Sequence, residues 1–439
     1  MNKLYILLGA LLFITTACDN DLDQFPPNIA SSESLTDYSG VLNAAYFYQL
    51  GSVTPMAVMG DFRADNAFMM EPPYDDFDRF DANLTSMEDQ FFGPFYTAMY
   101  KSILSANNVI ENSDDATEVG EAKFLRALSY FKLVRVFGDV PVNKSAQPDV
   151  EDESILKRQP ASDVYNNTII PDLNDAIAAL GTEAEDGRAS KLAAQGMLGK
   201  VYMQMGDPGA AVTPLAAVVN GAADAGFSLQ SEFADIFVND LNSEVIFATQ
   251  VSGSINDEYG FSEFWSWYGG LDTKSLTPLD FRLVDAFEAS PGDLRRMVTI
   301  DTATMASPKY PQTGGPDHDW IELRLADVIL LHAEALNENG SAPATVLPLL
   351  DPIRMRAGLD PLDPMVINTQ DLVSEAIAEE RRLELAFEGQ RWFDLVRNNT
   401  VNDAMGMGES IDPKFYVFPI PVSEVLASFG EITQNEAYN

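Results

Sequence analysis

Residues 189–219, ASKLAAQGMLGKVYMQMGDPGAAVTPLAAVV, are the stretch on which the fold turns. From Ala189 to Met205 the apolar positions Ala194, Leu198, Val201 and Met205 recur at helical spacing and share one face. Gly206-Asp207-Pro208 then forces a tight turn, because glycine accepts a left-handed backbone and proline starts a helix more readily than it continues one. A second helix is predicted from Pro208 to Val219. Two helices of this length joined by so short a turn form a helical hairpin of tetratricopeptide type, whose repeat is roughly 34 residues.

The same texture extends in both directions. Upstream, Phe124, Leu128, Phe131 and Val134 form one stripe of a helix from Glu121 to Phe137, which Gly138 ends and Pro141 bars from continuing. A partner helix from about Asp163 to Leu180 has room to fold back on it. Helices are also expected at Thr36–Leu50 and Tyr96–Glu111. Downstream, a third hairpin is expected at Ile321–Asn337 and Pro343–Ala357, and a last long helix from Asp371 to about Val396. The fold class is therefore mostly α, a tetratricopeptide-like helical-hairpin scaffold with degenerate repeats at about 97–220 and 320–400, in a single domain spanning 34–439. Ser243–Thr249 reads as a short strand. Two aromatic-rich, turn-rich insertions, about 51–95 and 250–319, fit neither period and read as loops on that scaffold, where binding residues usually sit.

The chain has 439 residues, 46% hydrophobic and 10% aromatic, enough for a large buried core. Its 27 basic against 67 acidic residues give a net charge of −40, spread along the length. Such a field repels phosphate backbones and disfavours nucleic acid as a partner. At the amino terminus Lys3 precedes an apolar run, Leu4–Ile14, too short to span a bilayer and the right length for a signal peptide. Thr15-Thr16-Ala17 and then Cys18, the only cysteine, follow. This resembles the lipobox of bacterial lipoproteins, with cleavage after residue 17, lipidation of Cys18 and a linker over 18–33. Thr15 stands where leucine is usual. The acidic Asp19-Asn20-Asp21-Leu22-Asp23 resembles a surface-export signal, or is a solvated spacer.

Catalytic patterns are scarce. The two histidines, His318 and His332, lack zinc spacing, and His332 shares a stripe with Leu325, Ile329 and Leu336, as a core histidine would. No phosphate-binding glycine loop or nucleophile elbow appears in a suitable context. Glu380, Glu384 and Glu388 step by four and could form a catalytic or metal cluster. Arg381, Arg382, Arg391 and Arg397 nearby favour a structural ion-pair network instead. No metal or cofactor is expected. Phe261-Ser262-Glu263-Phe264-Trp265-Ser266-Trp267-Tyr268 is different: in an extended segment Trp265 and Trp267 point the same way and make a flat platform. Sugar C–H groups stack on such indole faces while Asp, Asn and Arg take hydroxyls. Trp320 lies beside the same insertion. The competing reading is that these indoles plug a small core beneath a loop.

Several blocks together resemble the SusD/RagB family of glycan-binding outer-membrane lipoproteins. They are Leu125-Arg126-Ala127 through Val134-Arg135-Val136-Phe137-Gly138-Asp139-Val140-Pro141, Leu323-Arg324-Leu325-Ala326-Asp327-Val328 with His332-Ala333-Glu334-Ala335-Leu336, and Ile353-Arg354-Met355-Arg356-Ala357-Gly358-Leu359. Glu380-Arg381-Arg382-Leu383-Glu384-Leu385-Ala386-Phe387-Glu388-Gly389-Gln390-Arg391-Trp392-Phe393-Asp394-Leu395-Val396-Arg397 and the tail Phe418-Pro419-Ile420-Pro421 with Gln434-Asn435 complete the set. The usual Pro-Gly-Tyr ending is here Glu436-Ala437-Tyr438. The resemblance implies a lipid-anchored protein on the outer face of the outer membrane. It implies no catalysis and a role as the hinged lid of a SusC-like TonB-dependent transporter. Its ligand loops carry over onto Asp61, Arg63, Asp65 and Asn66, and onto Trp265, Trp267 and Tyr268. Scarce basic residues favour a neutral glycan, with a laminarin-type β-glucan as the specific expectation. Peptide or other nutrient binding on the same fold is the alternative, and a glycoside hydrolase a third.

Overall fold

In the computed structural model the described residues are 37–149, 152–183, 186–252, 259–311, 317–406, 408 and 410–439. The leader, Cys18 and the linker lie outside them. Within Ser39–Asn439 the scaffold helices follow in order: α1 (Ser39–Phe47), α2 (Gly93–Asn112), α3 (Ala116–Phe137), α4 (Ile170–Ala179), α5 (Lys191–Gln204) and α6 (Pro208–Gly221). Then come α7 (Phe264–Tyr268), α8 (Phe281–Glu288), α9 (Leu325–Glu338), α10 (Gln370–Leu385) and α11 (Arg391–Arg397), with shorter turns between. Each long helix packs on its successor: α2 on α3, α3 on α4, α4 on α5, α5 on α6, α6 on α9 and α9 on α10. That sequential stacking is the architecture of a helical-hairpin solenoid.

The hairpin of α5 and α6 forms for the reasons its residues supply. The Ser190 hydroxyl caps α5 by accepting from Ala193 N–H, and Asp207 caps α6 by accepting from Ala210 N–H. Gly206 takes φ 73° in the turn. Gly199, in mid-helix where glycine is unfavourable, allows the close packing: a Cβ there would sit 2.4 Å from the Leu215 side chain of α6.

Two antiparallel ribbons accompany the helices: β1 (Val140–Pro141) with β2 (Arg158–Gln159), and β3 (Val245–Thr249) with β4 (Trp320–Arg324). The second differs from the sequence expectation, which put residues 321–324 in a helix. Every residue of β4 is buried, and Thr249 pairs with Trp320. Residues 51–95 are not mostly loop either. They form short helical turns at 48–62, 76–79 and 82–92, and Val53–Phe62 are buried throughout. Turns of this kind have no long apolar stripe to betray them.

The expected helix 371–396 breaks after Leu385. Phe387 (φ 64°) and Gly389 (φ 67°) are both left-handed, and α11 resumes at Arg391. The break lets Gly389 N–H donate to the Asp61 carboxylate at 2.7 Å. His332 is buried as expected, its pKa lowered by burial, although its Nδ1 has no partner among the described residues.

Candidate functional site

The residues singled out from sequence are drawn together by the fold, but inward. Asp61 is fully buried and accepts from Asn66 Nδ2 (2.9 Å), Tyr268 OH (2.8 Å) and Gly389 N–H (2.7 Å). Burial raises its pKa against those three donors. The Arg63 guanidinium, also fully buried, lies 4.1 Å from the centroid of Phe80 and donates to the carbonyls of Phe77 and Phe415. Asp65 forks Arg391 at 2.6 and 2.9 Å and also meets Arg382 at 2.8 Å.

The tryptophans correct the platform geometry. Residues 264–268 form the one-turn helix α7, so Trp265 and Trp267 do not stand side by side as they would in a strand. Trp267, 6% exposed, packs against Phe62, Tyr74 and Phe91, with the Lys274 ammonium 5.5 Å from its ring. Trp265, 8% exposed, neighbours His318, and its Nε1–H is buried without a partner among the described residues. Tyr268 stacks between Phe62 and Tyr310, and Trp320 meets Phe264 edge-on at 5.0 Å. In this conformation none of these rings offers an open face to a sugar.

The glutamates of α10 and the segment after it form a buried ion-pair network, with partners that sequence proximity did not identify. Glu380 pairs with Arg295 and Arg354. Glu384 pairs with Arg295, Arg324 and Arg356, and Glu388 with Arg324 and Lys309. Glu244 joins through Arg324 and Arg356. The nearby arginines serve other acids: Arg381 pairs with Asp327 and Asp394, and Arg397 with Glu334 and Asp394. Every carboxylate in the network is paired, as a structural cluster requires.

Three aromatic rings that partly reach the surface lie on and just after α1. Tyr46, Phe47 and Tyr48 are all half-buried, because consecutive residues on a helix turn by about 100° and cannot share one buried face. Tyr46 and Phe47 line a cavity of about 290 Å³ with Asn43, Arg188 and Gln250. Arg188 lies over the Tyr46 ring at 4.7 Å, donates to Glu121 at 2.7 Å and to the Asn43 side chain at 2.9 Å. Tyr46 OH donates to the same Glu121 and accepts from Ala189 N–H. Burial and the Glu121 carboxylate hold that hydroxyl protonated, its pKa well above the ordinary phenol value. Phe47 also meets Tyr48 edge-on, and Tyr48 with Tyr259 flanks the exposed Lys101 ammonium at 5.3 and 5.7 Å. The triple aromatic Tyr46-Phe47-Tyr48 was the available signal in the sequence. Nothing local marked Arg188 or Gln250, which reach the cavity from other parts of the chain.

Comparison with known proteins agrees with this architecture. The SusD family profile matches residues 293–438, and a profile described as starch-binding, associating with outer membrane, matches residues 14–203. A SusD-like protein P2 of Formosa agariphila is 27% identical over 100% of both chains. Among solved structures, a laminarin-binding SusD-like protein is 26% identical with a TM-score of 0.72, covering 92% of this chain and 99% of its own. A SusD superfamily protein of Parabacteroides distasonis shares the fold at TM-score 0.76 and 22% identity, over 94% of this chain and 100% of its own.

Proposed function

This chain belongs to the SusD family of glycan-binding proteins, and from that premise we propose that it captures a neutral β-glucan of laminarin type at the α1 groove. The lipid-anchored chain hands the glycan to a SusC-like TonB-dependent transporter in the outer membrane. The observation that carries the binding reading is the groove itself. The rings of Tyr46 and Phe47 border a guanidinium and two amides within about 290 Å³, and Tyr48 meets Phe47 edge-on just outside that lining. Pyranose rings stack on phenyl faces through their C–H groups, while Arg188, Asn43 and Gln250 supply fixed donors and acceptors for hydroxyls. The laminarin-binding neighbour supports the choice of glycan, and the scarcity of basic side chains supports its neutrality. Among the described residues that line the groove Asp186 is the one carboxylate, whereas glycoside hydrolysis needs a pair across a cleft, and binding without turnover is the reading this supports.

Titration of laminarin into single-site variants tests this. Phe47→Ala is expected to weaken binding roughly 5- to 150-fold, the equivalent of about 1–3 kcal/mol, at near-native melting temperature. Trp265→Ala and Trp267→Ala are expected to lower the melting temperature, with affinity kept in the folded fraction. The opposite pattern would return the site to the tryptophans, which would require the segment bearing Lys274 to move aside. Cys18→Ala is expected to release the protein from the membrane fraction; retention there would remove the lipid-anchor reading.

A further inference from the structure

We propose that the cavity lined by Arg354, Arg382, Arg391 and the acids Asp285, Glu379 and Asp403 is a second binding site, for a small zwitterion that carries one carboxylate and one ammonium. It measures about 730 Å³, and its lining shares no residue with the groove on α1. That volume lies within the roughly 300–1,000 Å³ typical of small-ligand sites. Four of the 27 basic residues in a chain of net −40 converge on it, facing five acids: Asp65 and Glu380, both buried and ion-paired, and the exposed Asp285, Glu379 and Asp403.

The depth of each charged group follows from its exposure. Arg382 and Arg391 are mostly buried, with side chains 12% and 14% exposed, and they share a single buried carboxylate, Asp65. Two guanidiniums on one carboxylate leave a positive charge at the floor. Burial lowers the pKa of Arg382 and Arg391 adds to that, whereas in Arg391 burial is outweighed by the Asp65 fork and the pKa is raised. Arg282 is committed to Asp280 and the Met405 carbonyl. The other three each keep one terminal nitrogen without a partner among the described residues: Nη2 of Arg354, Nη1 of Arg382 and Nη1 of Arg391. Asp285, Glu379 and Asp403, by contrast, are exposed and form no ion pair among the described residues. A guanidinium floor beneath a carboxylate rim is complementary to a molecule that enters carboxylate first and leaves its ammonium outside. A polyanion meets the rim and the −40 field, a simple cation finds at the floor only Asp65 and Glu380, both already held by arginines, and a neutral sugar leaves the free guanidinium nitrogens unused.

Calorimetric titration of the full chain in detergent with trialanine, N-acetyl-trialanine and trialanine amide tests this, with glucuronate as the plain monoanion. Trialanine is expected to bind and each blocked form to bind at least tenfold more weakly. Arg382→Gln should abolish the preference for the free acid over the amide. Asp403→Asn, at an exposed rim position, should diminish the preference for the free amine over the acetylated form even if the Arg382 variant fails to fold. Saturating laminarin should leave trialanine binding unchanged. Overturning results are no trialanine binding at millimolar concentration, equal binding of trialanine and N-acetyl-trialanine or of trialanine and glucuronate, or displacement by laminarin.

Discussion

Gly60 and Gly389 meet backbone to backbone. A Cβ on Gly60 would lie 2.2 Å from the Gly389 carbonyl oxygen, and one on Gly389 would lie 2.8 Å from the Trp320 ring as well as needing φ 67°. The approach is what brings Asp61 within reach of Gly389 N–H. Gly60→Ala is therefore expected to destabilise by about 3 kcal/mol or more, above the usual 1–3 kcal/mol for overpacking, because the clash is with backbone and no side chain can swing away. Chemical denaturation of that variant is the check; a midpoint within error of the parent would show that the segments separate at little cost. The family resemblance offered Asp61, Arg63, Asp65 and Asn66 as ligand-loop residues, and in the structure each is buried with partners inside the fold. Their direction was not legible in the sequence, since a loop and a series of tight buried turns have the same lack of period.

At the scale of elements, the helix that begins at Gln370 shows how far pattern reaches. Its apolar stripe and its glutamates at 380 and 384 correctly announced buried carboxylates, and the arginine-rich neighbourhood suggested structural pairing. The true partners, Arg295, Arg324, Arg354 and Arg356, lie dozens of residues upstream. Glu384 touches three of them, which hold its carboxyl far below the usual carboxylate range despite complete burial. Glu384→Gln leaves those guanidiniums undercompensated and is expected to cost about 3–5 kcal/mol. Breaking the exposed Lys123–Asp175 pair by Lys123→Ala should cost no more than about 1 kcal/mol. Adding salt should shrink the second effect and barely touch the first. Equal losses in the two variants would mean that the network is solvated and the burial argument wrong.

Over the whole molecule, two sets of acids pull stability in opposite directions with pH. Asp319 is pushed up to about 7 by burial, with Asp240 and Asp317 adding to it, and burial pushes Asp78 up to about 8. Between roughly pH 4 and these values the folded protein keeps protons that the unfolded chain, with aspartate near 3.9, has released, so stability falls as pH rises through that window. Glu384, Glu388 and Asp327 are depressed by their cationic partners, so their contribution is present above roughly pH 4.5 and is lost on acidification. The melting temperature is expected to peak near pH 5–6, and Asp319→Asn should flatten the alkaline side. A melting temperature that climbs steadily to pH 8 would contradict the assignment. Salt should raise stability at neutral pH by screening a net charge of −40.

The hairpin of α5 and α6, its turn and its caps were determined by local sequence, because periodicity, glycine and proline act over a few residues and need no partner. The family blocks spread along the chain carried the same information. The third expected hairpin was not so determined, since residues 321–324 are a strand and Pro343–Ala357 is split into short turns at Pro343–Val346, Leu347–Leu349 and Asp351–Arg356. Tertiary structure alone decided which aromatics are core and which are surface. A tryptophan among turn residues is equally compatible with a platform and a plug, and only the presence of Phe62, Tyr74 and Phe91 around Trp267 makes it a plug. The groove on α1 and the charged cavity were likewise invisible in advance. Each is assembled from residues far apart in the chain, and the distance between Tyr46 and Arg188, or between Asp65 and Arg391, is set by the packing of the helices and not by any spacing in the sequence.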